Sequence, residues 1–310
     1  MKEHENACTF VNEANSAVTI GTFDGVHIGH KKIIESLTKT SKSNGLDSVI
    51  LTFFPHPRMV LQKDTDIKLI NTMEERSQIL RSTGLNHLVI HPFSESFSQL
   101  SAEDYVKQLL VKYLKAKKVI IGYDHRFGKG RTANILDLKQ FGEELNFEVE
   151  EINKQEIEDV AVSSTKIRKA LGNGEIEKAN IYLGYNFMLT GKVEKGRQLG
   201  RTLGYPTANM RIAETYKLIP KTGVYITKAC IDNTVYFGMT NIGNNPTVGG
   251  QKQTVETYFF DAEFNLYHKK IQIELLKRIR DEQKFSSLEK LKEAMLGDED
   301  FAREYISEML

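Results

Sequence analysis

The sequence has almost no net charge, few cysteines and no long apolar run. Lysine plus arginine number 42 and aspartate plus glutamate 41, so no overall field attracts nucleic acid or an anionic lipid surface. The two cysteines, Cys8 and Cys230, stand far apart, which agrees with a reducing compartment. No apolar stretch is long enough to cross a bilayer, and the polar residues 1–5 lack a signal-peptide core. These absences predict a cytoplasmic protein without nucleic-acid or membrane partners, and they leave the oligomeric state open.

What remains is the composition of a globular protein, with 40% hydrophobic and 27% charged residues. A chain of 310 residues is too long for one ordinary core and suits two domains. The sequence pattern changes between Lys178 and Phe187. We therefore expect one domain over residues 1–183 and a second over residues 184–310.

The first half alternates strand-like and helix-like segments. Such alternation predicts an α/β, Rossmann-like domain, in which helices cover both faces of a parallel sheet and ligands bind beyond the carboxyl ends of the strands. The extended segments are Ser48 to Phe54, His87 to Ile90, Lys118 to Gly122 and Phe147 to Ile152, and the helical ones are Met73 to Arg81, Ala102 to Tyr113 and Ile135 to Leu145.

A first candidate site follows the strand Val18 to Ile20, which ends at Gly21. A helix follows, and its opening turn carries Gly29 and His30, so its free N–H groups and positive dipole end suit a phosphate. His27 lies three residues before His30, and the two imidazoles can enter one cavity. Such a pair suits adenylyl transfer, which needs positioned donors more than a covalent nucleophile.

Other interpretations of this H-x-G-H pattern are a zinc site or a solvated turn. The strand before it and the helix after it disfavour both. Zinc would also need two further ligands at suitable spacing, and the cysteines stand far from the histidines in the sequence.

Two further strand ends carry candidate ligand groups. Residues 53–57 read F-F-P-H-P, an apolar wall, and residues 122–131 combine glycine, aromatic rings and cations. A planar ring beside a phosphate suits both segments. The alternatives are core packing for the two phenylalanines and a solvated loop for Arg126, Lys129 and Arg131.

Hydroxyl groups also precede a predicted helix near the end of the first half. Ser163, Ser164 and Thr165 stand at its start, with Lys166 and Arg168 in the first turn. This arrangement predicts an oxyanion cradle, and the alternative is an ordinary helix cap.

The second half has short extended runs, punctuated by glycine and without intervening helices. This pattern predicts a small antiparallel β-barrel, followed by a helix from Ser287 that packs on it as a structural element. The runs are Met188 to Val193, Val224 to Cys230, Thr234 to Thr240, Thr254 to Phe260 and Lys270 to Leu276. The candidate inward positions of the helix are Leu288, Leu291, Met295, Tyr305 and Ile306.

A second candidate site begins with a glycine-rich segment. Gly191 and Gly196 have P-loop spacing, but Arg197 and Gln198 follow in place of Lys-Ser or Lys-Thr, so this is not a Walker A site. We expect the segment to form a flap over ATP phosphates. Its candidate ATP-binding residues are Gly191, Lys195, Gly196 and Gly200.

Oxygen-bearing side chains follow this flap. Thr207 and Asn209 alternate along an extended segment, so their oxygens point the same way and could hold Mg²⁺. Glu256 is the candidate base for a substrate hydroxyl, although a lone strand glutamate is more often solvated.

Together these motifs resemble the prokaryotic bifunctional riboflavin kinase and FAD synthetase (FMN adenylyltransferase) family, from about Ala17 to Phe301. The first half carries G-T-F-D-G-V-H-I-G-H, T-F-F-P-H-P, G-Y-D-H-R-F-G and S-S-T-K-I-R. The second half carries G-R-Q-L-G-R-T-L-G-Y-P-T-A-N, N-I-G-N-N-P-T-V-G-G, V-E-T-Y and R-I-R-D-E-Q-K-F. H-x-G-H alone marks a broad nucleotidylyltransferase superfamily, whereas P-T-A-N with its glycines is far more specific.

The resemblance implies two ATP-dependent reactions. A C-terminal module would phosphorylate riboflavin to FMN with Mg²⁺, and an N-terminal nucleotidylyltransferase module would join AMP to FMN, giving FAD and pyrophosphate. The small-molecule partners are then riboflavin, FMN and ATP.

The resemblance also implies residue roles. On the ATP of the adenylyl site it would place His27, Gly29, His30, Ser164, Thr165 and Arg168 near the phosphates and Gly21, Phe23 and Asp24 on the adenosine side. Near the flavin or FMN phosphate it would place Phe53, Pro55, His56, Pro57, Asp124, His125 and Arg126. In the kinase it would place Thr207 and Asn209 on magnesium, Glu256 as base, and Arg280 near flavin or the transferred phosphate.

One position departs from the family pattern. His125 stands where an aromatic residue, usually phenylalanine, is expected, and imidazole is more polar and titrates near neutrality. We therefore expect flavin affinity or pH dependence in the adenylylating half to differ.

Three rival functions remain open at this stage. The chain could retain only one of the two activities, or it could be another nucleotidylyltransferase, which would leave the second half without a purpose. A non-enzymatic flavin-binding regulator or RNA-binding protein would tolerate Glu256→Gln, although the near-zero net charge disfavours RNA.

Overall fold

A computed structural model describes residues 1–61, 67–122, 125–152, 162–196, 204–247, 250–262 and 265–310. The chain divides into two compact units, Met1–Ser164 and Thr165–Leu310. Within the described ranges, no helix combines the length and the hydropathy needed to span a membrane.

The first unit is built on a parallel sheet of six strands. They are β1 (Lys2–His4), β2 (Ser16–Ile20), β3 (Asp47–Phe54), β4 (His87–Pro92), β5 (Ala116–Gly122) and β6 (Glu148–Ile152), in the order β1-β4-β3-β2-β5-β6. All the strand pairs of this sheet are parallel. The carboxyl ends of the strands therefore meet at one edge, and the strand order reverses between β2 and β5, which is where doubly wound sheets bind ligands.

Helices cover both faces of the sheet because β2 and its neighbours bury side chains in both directions. The helices are α1 (Ile28–Ser43), α2 (Pro57–Leu61), α3 (Met73–Arg81), α4 (Glu95–Ser98), α5 (Ala102–Tyr105) and α6 (Ile135–Leu145). A π-helical segment, Val106–Tyr113, continues α5, and short 3₁₀ turns span Ala7–Thr9 and Lys129–Arg131. The predicted α/β class is confirmed, and α3 and α6 have the predicted bounds.

The second unit is a closed antiparallel barrel. Its strands are β7 (Met188–Glu194), β8 (Ala208–Arg211), β9 (Gly223–Ile231), β10 (Thr234–Thr247), β11 (Gly250–Phe259) and β12 (Lys270–Arg280), which close in the order β10-β11-β8-β7-β12-β9. Inside it, the buried hydroxyls of Thr227, Thr240 and Thr257 bond to one another. The predicted barrel is confirmed, and β10 and β12 extend beyond their predicted ends.

Helices flank the barrel in the sequence. Before it come α7 (Ser164–Asn173) and α8 (Ile176–Leu183), and after it comes α9 (Leu288–Met309). Ser287 caps α9 by accepting the Lys290 N–H, so the predicted start is confirmed.

The inward stripe of α9 differs from the prediction. Ile306 is buried as predicted, but Leu288 is 56% exposed, so that prediction was wrong. The buried positions are Asp298, Ala302 and Ile306, spaced four apart on one side of the helix. Leu288 lies off this line, in the first turn.

Candidate active sites

The turn between β2 and α1 places the two histidines of the first site. His27 is the N-cap of α1, and its Nδ1 accepts the backbone N–H of His30 at 3.3 Å. With its δ nitrogen used as an acceptor, a neutral His27 carries its proton on Nε2. The ring thus caps the helix with one nitrogen and presents an N–H donor with the other.

The imidazoles of His27 and His30 stack face to face. Their centroids are 3.6 Å apart with an interplanar angle of 15°, and the Phe23 ring lies 5.1 Å from that of His30. Gly29 permits this arrangement, since a Cβ there would lie 3.2 Å from His27 Nδ1. The two predicted residues are therefore brought together beside the N-terminus of α1.

Burial keeps both imidazoles neutral. It lowers the pKa of His27 to about 4, although Asp24 acts in the opposite direction. Burial also takes the pKa of His30 well below its usual value, and the charges of His27 and Arg76 lower it further. His30 Nδ1 is shielded from solvent and has no hydrogen-bond partner among the described residues. At neutral pH the pair supplies hydrogen-bond donors but no charge.

The turn before the histidines has an unusual backbone. Phe23 and Val26 have positive φ angles of 47° and 34°, around Gly25 at 88°. Non-glycine residues rarely adopt such angles unless neighbouring groups hold them. Gly21 lies against the Phe23 ring, where a Cβ would come within 3.1 Å.

Asp24 is fully buried, and its side chain connects this turn to neighbouring segments. Its carboxylate accepts the N–H of Ile70 at 3.0 Å and that of Asn71 at 3.4 Å. It also pairs with Arg76 at 3.3 Å. The predicted contact of Asp24 with adenosine stays a prediction, and these bonds show that its side chain links the turn to residues 70–76.

The hydroxyl-rich segment meets the same turn. Ser164 Oγ donates to the backbone carbonyl of Asp24 at 2.9 Å, although 140 residues separate the two in the sequence. Thr165 is exposed and Arg168 is half-buried on α7. The structure thus connects Ser164, one residue of the predicted oxyanion cradle, to the first site. Contacts of Ser164, Thr165 and Arg168 with phosphate stay predictions.

The end of β3, with residues 53–57, packs partly into an aromatic cluster. Phe53 is buried, and its ring lies 5.8 Å from Phe93 and 5.6 Å from Phe97, as the core-packing alternative describes. Pro55 is exposed and Pro57 opens α2. The buried His56 accepts the Arg58 N–H through Nδ1 at 3.2 Å.

The loop after β5 lies at the same edge of the sheet. His125 is half-buried, and its ring stacks on Phe127 at 6.0 Å, whereas Arg126 is exposed. Asp124 lies outside the described residues. The more polar imidazole of His125 therefore still stacks on a neighbouring ring.

Strand register brings together the polar residues of the second site. Asn209 on β8 lies directly opposite Glu256 on β11, and Asn209 Nδ2 is 3.4 Å from Thr207 Oγ1. Thr257 points into the barrel, so Glu256 lies on the outer face. The side chains of Thr207 and Asn209 thus share one patch with Glu256, which lies 47 residues further along the sequence than Asn209.

Of the glycine-rich segment, the described residues 191–196 and 204 include one that contacts this patch. A Cβ at Gly196 would collide with the amide of Asn209, so the backbone of residue 196 covers that side chain. Lys195 is exposed. Gly191 lies within β7, where a Cβ would come 2.8 Å from the Arg211 carbonyl oxygen, and Gly200 lies outside the described residues.

Arg280, at the end of β12, is held by α9. Its Nε and Nη2 donate to the buried carboxylate of Asp298 at 2.8 and 2.7 Å. The guanidinium also lies 5.6 Å from the Phe285 ring. Its predicted contact with flavin or phosphate stays a prediction.

Comparison with known proteins identifies the family. Residues 10–166 match the FAD synthetase family and residues 183–306 match the riboflavin kinase family. A bifunctional riboflavin kinase/FMN adenylyltransferase of Buchnera aphidicola is 39% identical over 95% of both chains. That of Escherichia coli K12 is 34% identical over 93% of this chain and 92% of its own.

The chain belongs to the bifunctional riboflavin kinase/FMN adenylyltransferase family.

A solved structure supports the fold of this riboflavin kinase/FMN adenylyltransferase family member. The crystal structure, described as that of a macrolide-efflux protein from Streptococcus pneumoniae, has a TM-score of 0.87 at 29% identity. It covers 97% of this chain and 98% of its own.

Sequence reasoning missed Arg76 in this family member. Arg76 lies on α3, is 1% exposed and donates to the Thr22 carbonyl at 2.7 Å. The available signal was its position, because residue 76 falls on the same helix face as Leu80, which an amphipathic helix buries.

Proposed function

We propose that the first unit adenylylates FMN to FAD and that the second phosphorylates riboflavin to FMN, each with its own ATP. The observation that carries the proposal is that each compact unit holds a separate constellation suited to one reaction. The histidine stack lies at the N-terminus of α1, and the Thr207, Asn209 and Glu256 patch lies on the barrel.

In the first reaction, an FMN phosphate oxygen attacks the α-phosphorus of ATP, and the bond to pyrophosphate breaks. The N–H donors of the histidine pair and of the first turn of α1 stabilise charge on the phosphate oxygens. Because both imidazoles are neutral, they act by hydrogen bonding and need no proton uptake. Ser164, Thr165 and Arg168 add donors to the phosphates.

Adenosine is bound by the turn that precedes the stack. Gly21 and Phe23 line it, and Gly29 leaves room for the phosphate chain. Asp24 supports this surface from beneath, since its carboxylate bonds to backbone N–H groups of residues 70 and 71. The flavin and its phosphate lie against Phe53, Pro55, His56, Pro57, Asp124, His125 and Arg126.

In the second reaction, the ribityl hydroxyl of riboflavin attacks the γ-phosphorus of a second ATP, and ADP leaves. Glu256 takes the hydroxyl proton. The residues present fit Mg²⁺, because Thr207 and Asn209 both carry a side-chain oxygen of the kind that a hard cation prefers. Asn209 Nδ2 lies 3.4 Å from Thr207 Oγ1, and a flip of the amide would bring the two oxygens together. Mg²⁺ would neutralise phosphate charge.

Further groups complete the kinase. Gly191, Lys195, Gly196 and Gly200 belong to the segment that covers the ATP phosphates, and Gly196 also shields the Asn209 amide. Arg280 is oriented by Asp298 beside the flavin or the transferred phosphate.

The domain division proposed here is residues 1–183 for adenylylation and 184–310 for phosphorylation. We place the reactions in the cytoplasm, where both substrates and ATP are available, with riboflavin, FMN and ATP as partners and neither nucleic acid nor membrane required. The nearly balanced charge supports this.

Chromatography of riboflavin, FMN and FAD tests the proposal. The purified chain is incubated with riboflavin, ATP and Mg²⁺, alongside His30→Ala and Glu256→Gln. We expect wild type to give FAD, His30→Ala to stop at FMN, and Glu256→Gln to produce FAD only from added FMN.

Each variant serves as the control for the other, because it retains the opposite reaction. Conversion of FMN but not riboflavin by wild type would identify a single-activity enzyme. Absence of both conversions, or full kinase activity in Glu256→Gln, would contradict the proposal.

A further inference from the structure

A buried cation lies next to the backbone turn of the first site. The Arg76 guanidinium, on α3, donates through Nη1 to the Thr22 carbonyl at 2.7 Å and through Nη2 to Asp24 Oδ1 at 3.3 Å. Both side chains of the Arg76–Asp24 pair are 1% exposed. Neither a surface ion pair nor a solvated helix face explains an arginine in this position.

The pair links three segments of the first unit. Asp24 also accepts the N–H groups of Ile70 and Asn71, so residues 22–24, residues 70–71 and α3 are joined through one carboxylate and one guanidinium. The turn that follows β2 contains two non-glycine residues with positive φ, Phe23 and Val26. This conformation persists only where surrounding contacts fix it.

We propose that Arg76 is a positioning residue for adenylyl transfer: its guanidinium holds the turn that presents the two stacked histidines. The inference rests on the proposed function of the first unit. Arginine suits this task better than lysine, because its planar fork reaches a carbonyl and a carboxylate at once.

Charge gives Arg76 a second effect on the stack. Its positive charge helps lower the pKa of His30, and the negative charge of Asp24 acts to raise that of His27. Within the pair the two charges offset each other. Loss of Arg76 alone leaves the Asp24 charge beside the imidazoles, which then take up protons at higher pH.

Three variants test the inference: Arg76→Lys, Arg76→Met and the double variant Asp24→Asn/Arg76→Met. FMN adenylylation is measured from about pH 3.5 to pH 8, a range that includes the low pKa of His27. Riboflavin phosphorylation and thermal unfolding of the same full-length chains over this range are the controls. We expect Arg76→Lys to lower kcat about tenfold or more, because lysine cannot make both hydrogen bonds of the guanidinium. The positive charge remains, so the loss of activity at low pH, here called the acid limb, should stay at the wild-type pH. We expect Arg76→Met to move the acid limb to higher pH.

The double variant separates positioning from stability. It leaves no unpaired buried charge, so we expect the thermal stability and the acid limb to match those of wild type. The kcat for adenylylation should stay reduced, because the turn has lost its guanidinium. Full recovery of kcat would show that Arg76 only stabilises the fold and would overturn the inference. Wild-type kcat and pH profile in both single variants would also overturn it.

FAD formation by the wild-type chain distinguishes failure of the proposed function from failure of the role of Arg76. If wild type makes no FAD from FMN, the proposed function fails and the role of Arg76 fails with it. If wild type makes FAD and the variants do so equally well, the role of Arg76 alone fails.

Discussion

The two histidines of the first site differ in what each ring nitrogen does. His27 uses Nδ1 to cap α1, which fixes the tautomer and directs its N–H outward. The stacked rings would repel each other if both were protonated, and burial already disfavours the charged form. The site is therefore built for neutral imidazoles, so its permanent positive charge has to come from arginine or lysine.

Gly29 provides a test of the stacked geometry. We expect Gly29→Ala to lower FMN adenylylation by about tenfold or more, because the new Cβ would press on the His27 ring at 3.2 Å and displace it. Riboflavin phosphorylation, measured in the same assay, should stay at the wild-type level.

Gly297→Ala on α9 is the matched control for this change. No atom lies within 4 Å of its new Cβ, so we expect both activities to be retained. Equal adenylylation in the two variants would contradict the proposed importance of the stack.

The positions of candidate site residues were predictable where the neighbouring sequence determines them. His27 and His30 lie where the strand, the glycines and the helix start predicted them, and Thr207 and Asn209 share the predicted face. The spacing from Leu80 places Arg76 on the buried face of α3, but arginine is normally solvated, so the sequence pattern alone did not identify the buried partner that it needs. The burial of Arg76 depends on Asp24, which tertiary folding brings to it.

At the scale of elements, a buried ion pair joins α9 to the end of β12. We expect Asp298→Ala to lower the free energy of unfolding of the second unit by about 2 kcal/mol or more, because it leaves the Arg280 guanidinium without its bidentate partner. Denaturation in urea measures the change.

The matched control removes the aspartate of a second ion pair made by α9, in which the arginine is the helix residue. Asp261 pairs with Arg303, but its side chain is 76% exposed and the pair is screened by solvent, so we expect Asp261→Ala to leave the free energy of unfolding near the wild-type value. Similar losses in the two variants would mean that burial of the pair does not decide its contribution.

Elements were predictable where periodicity is strong. The bounds of α3 and α6 agree with the sequence pattern, because each helix begins with a capping box. α6 also has an apolar face formed by Ile135, Leu138, Phe141 and Leu145. β1 was missed because it is three polar residues long and exists only by pairing with β4. The π-helical turns of Val106–Tyr113 likewise follow from packing and leave no signature in the residue spacing.

At the scale of the whole molecule, the histidine stack lies in the first compact unit and the Thr207, Asn209 and Glu256 patch lies in the second. A mixture of His30→Ala and Glu256→Gln chains should therefore convert riboflavin to FAD, although neither chain does so alone. Free FMN released by one chain would serve the other, and chromatography follows both. Each variant alone at twice the concentration is the control, and failure of the mixture would show that FMN does not leave the chain that makes it.

The two sheets also differ in how they expose their strand edges. In the closed barrel every strand has two neighbours, so it offers no edge to which another chain could add. The open sheet ends at β6, whose Glu148 and Glu150 pair with Lys118, and at β1, which is three polar residues long. Short and charged edge strands are poor templates for pairing with another chain, so folded chains should stay apart in concentrated solution, and losses during long storage should come from chains that have unfolded.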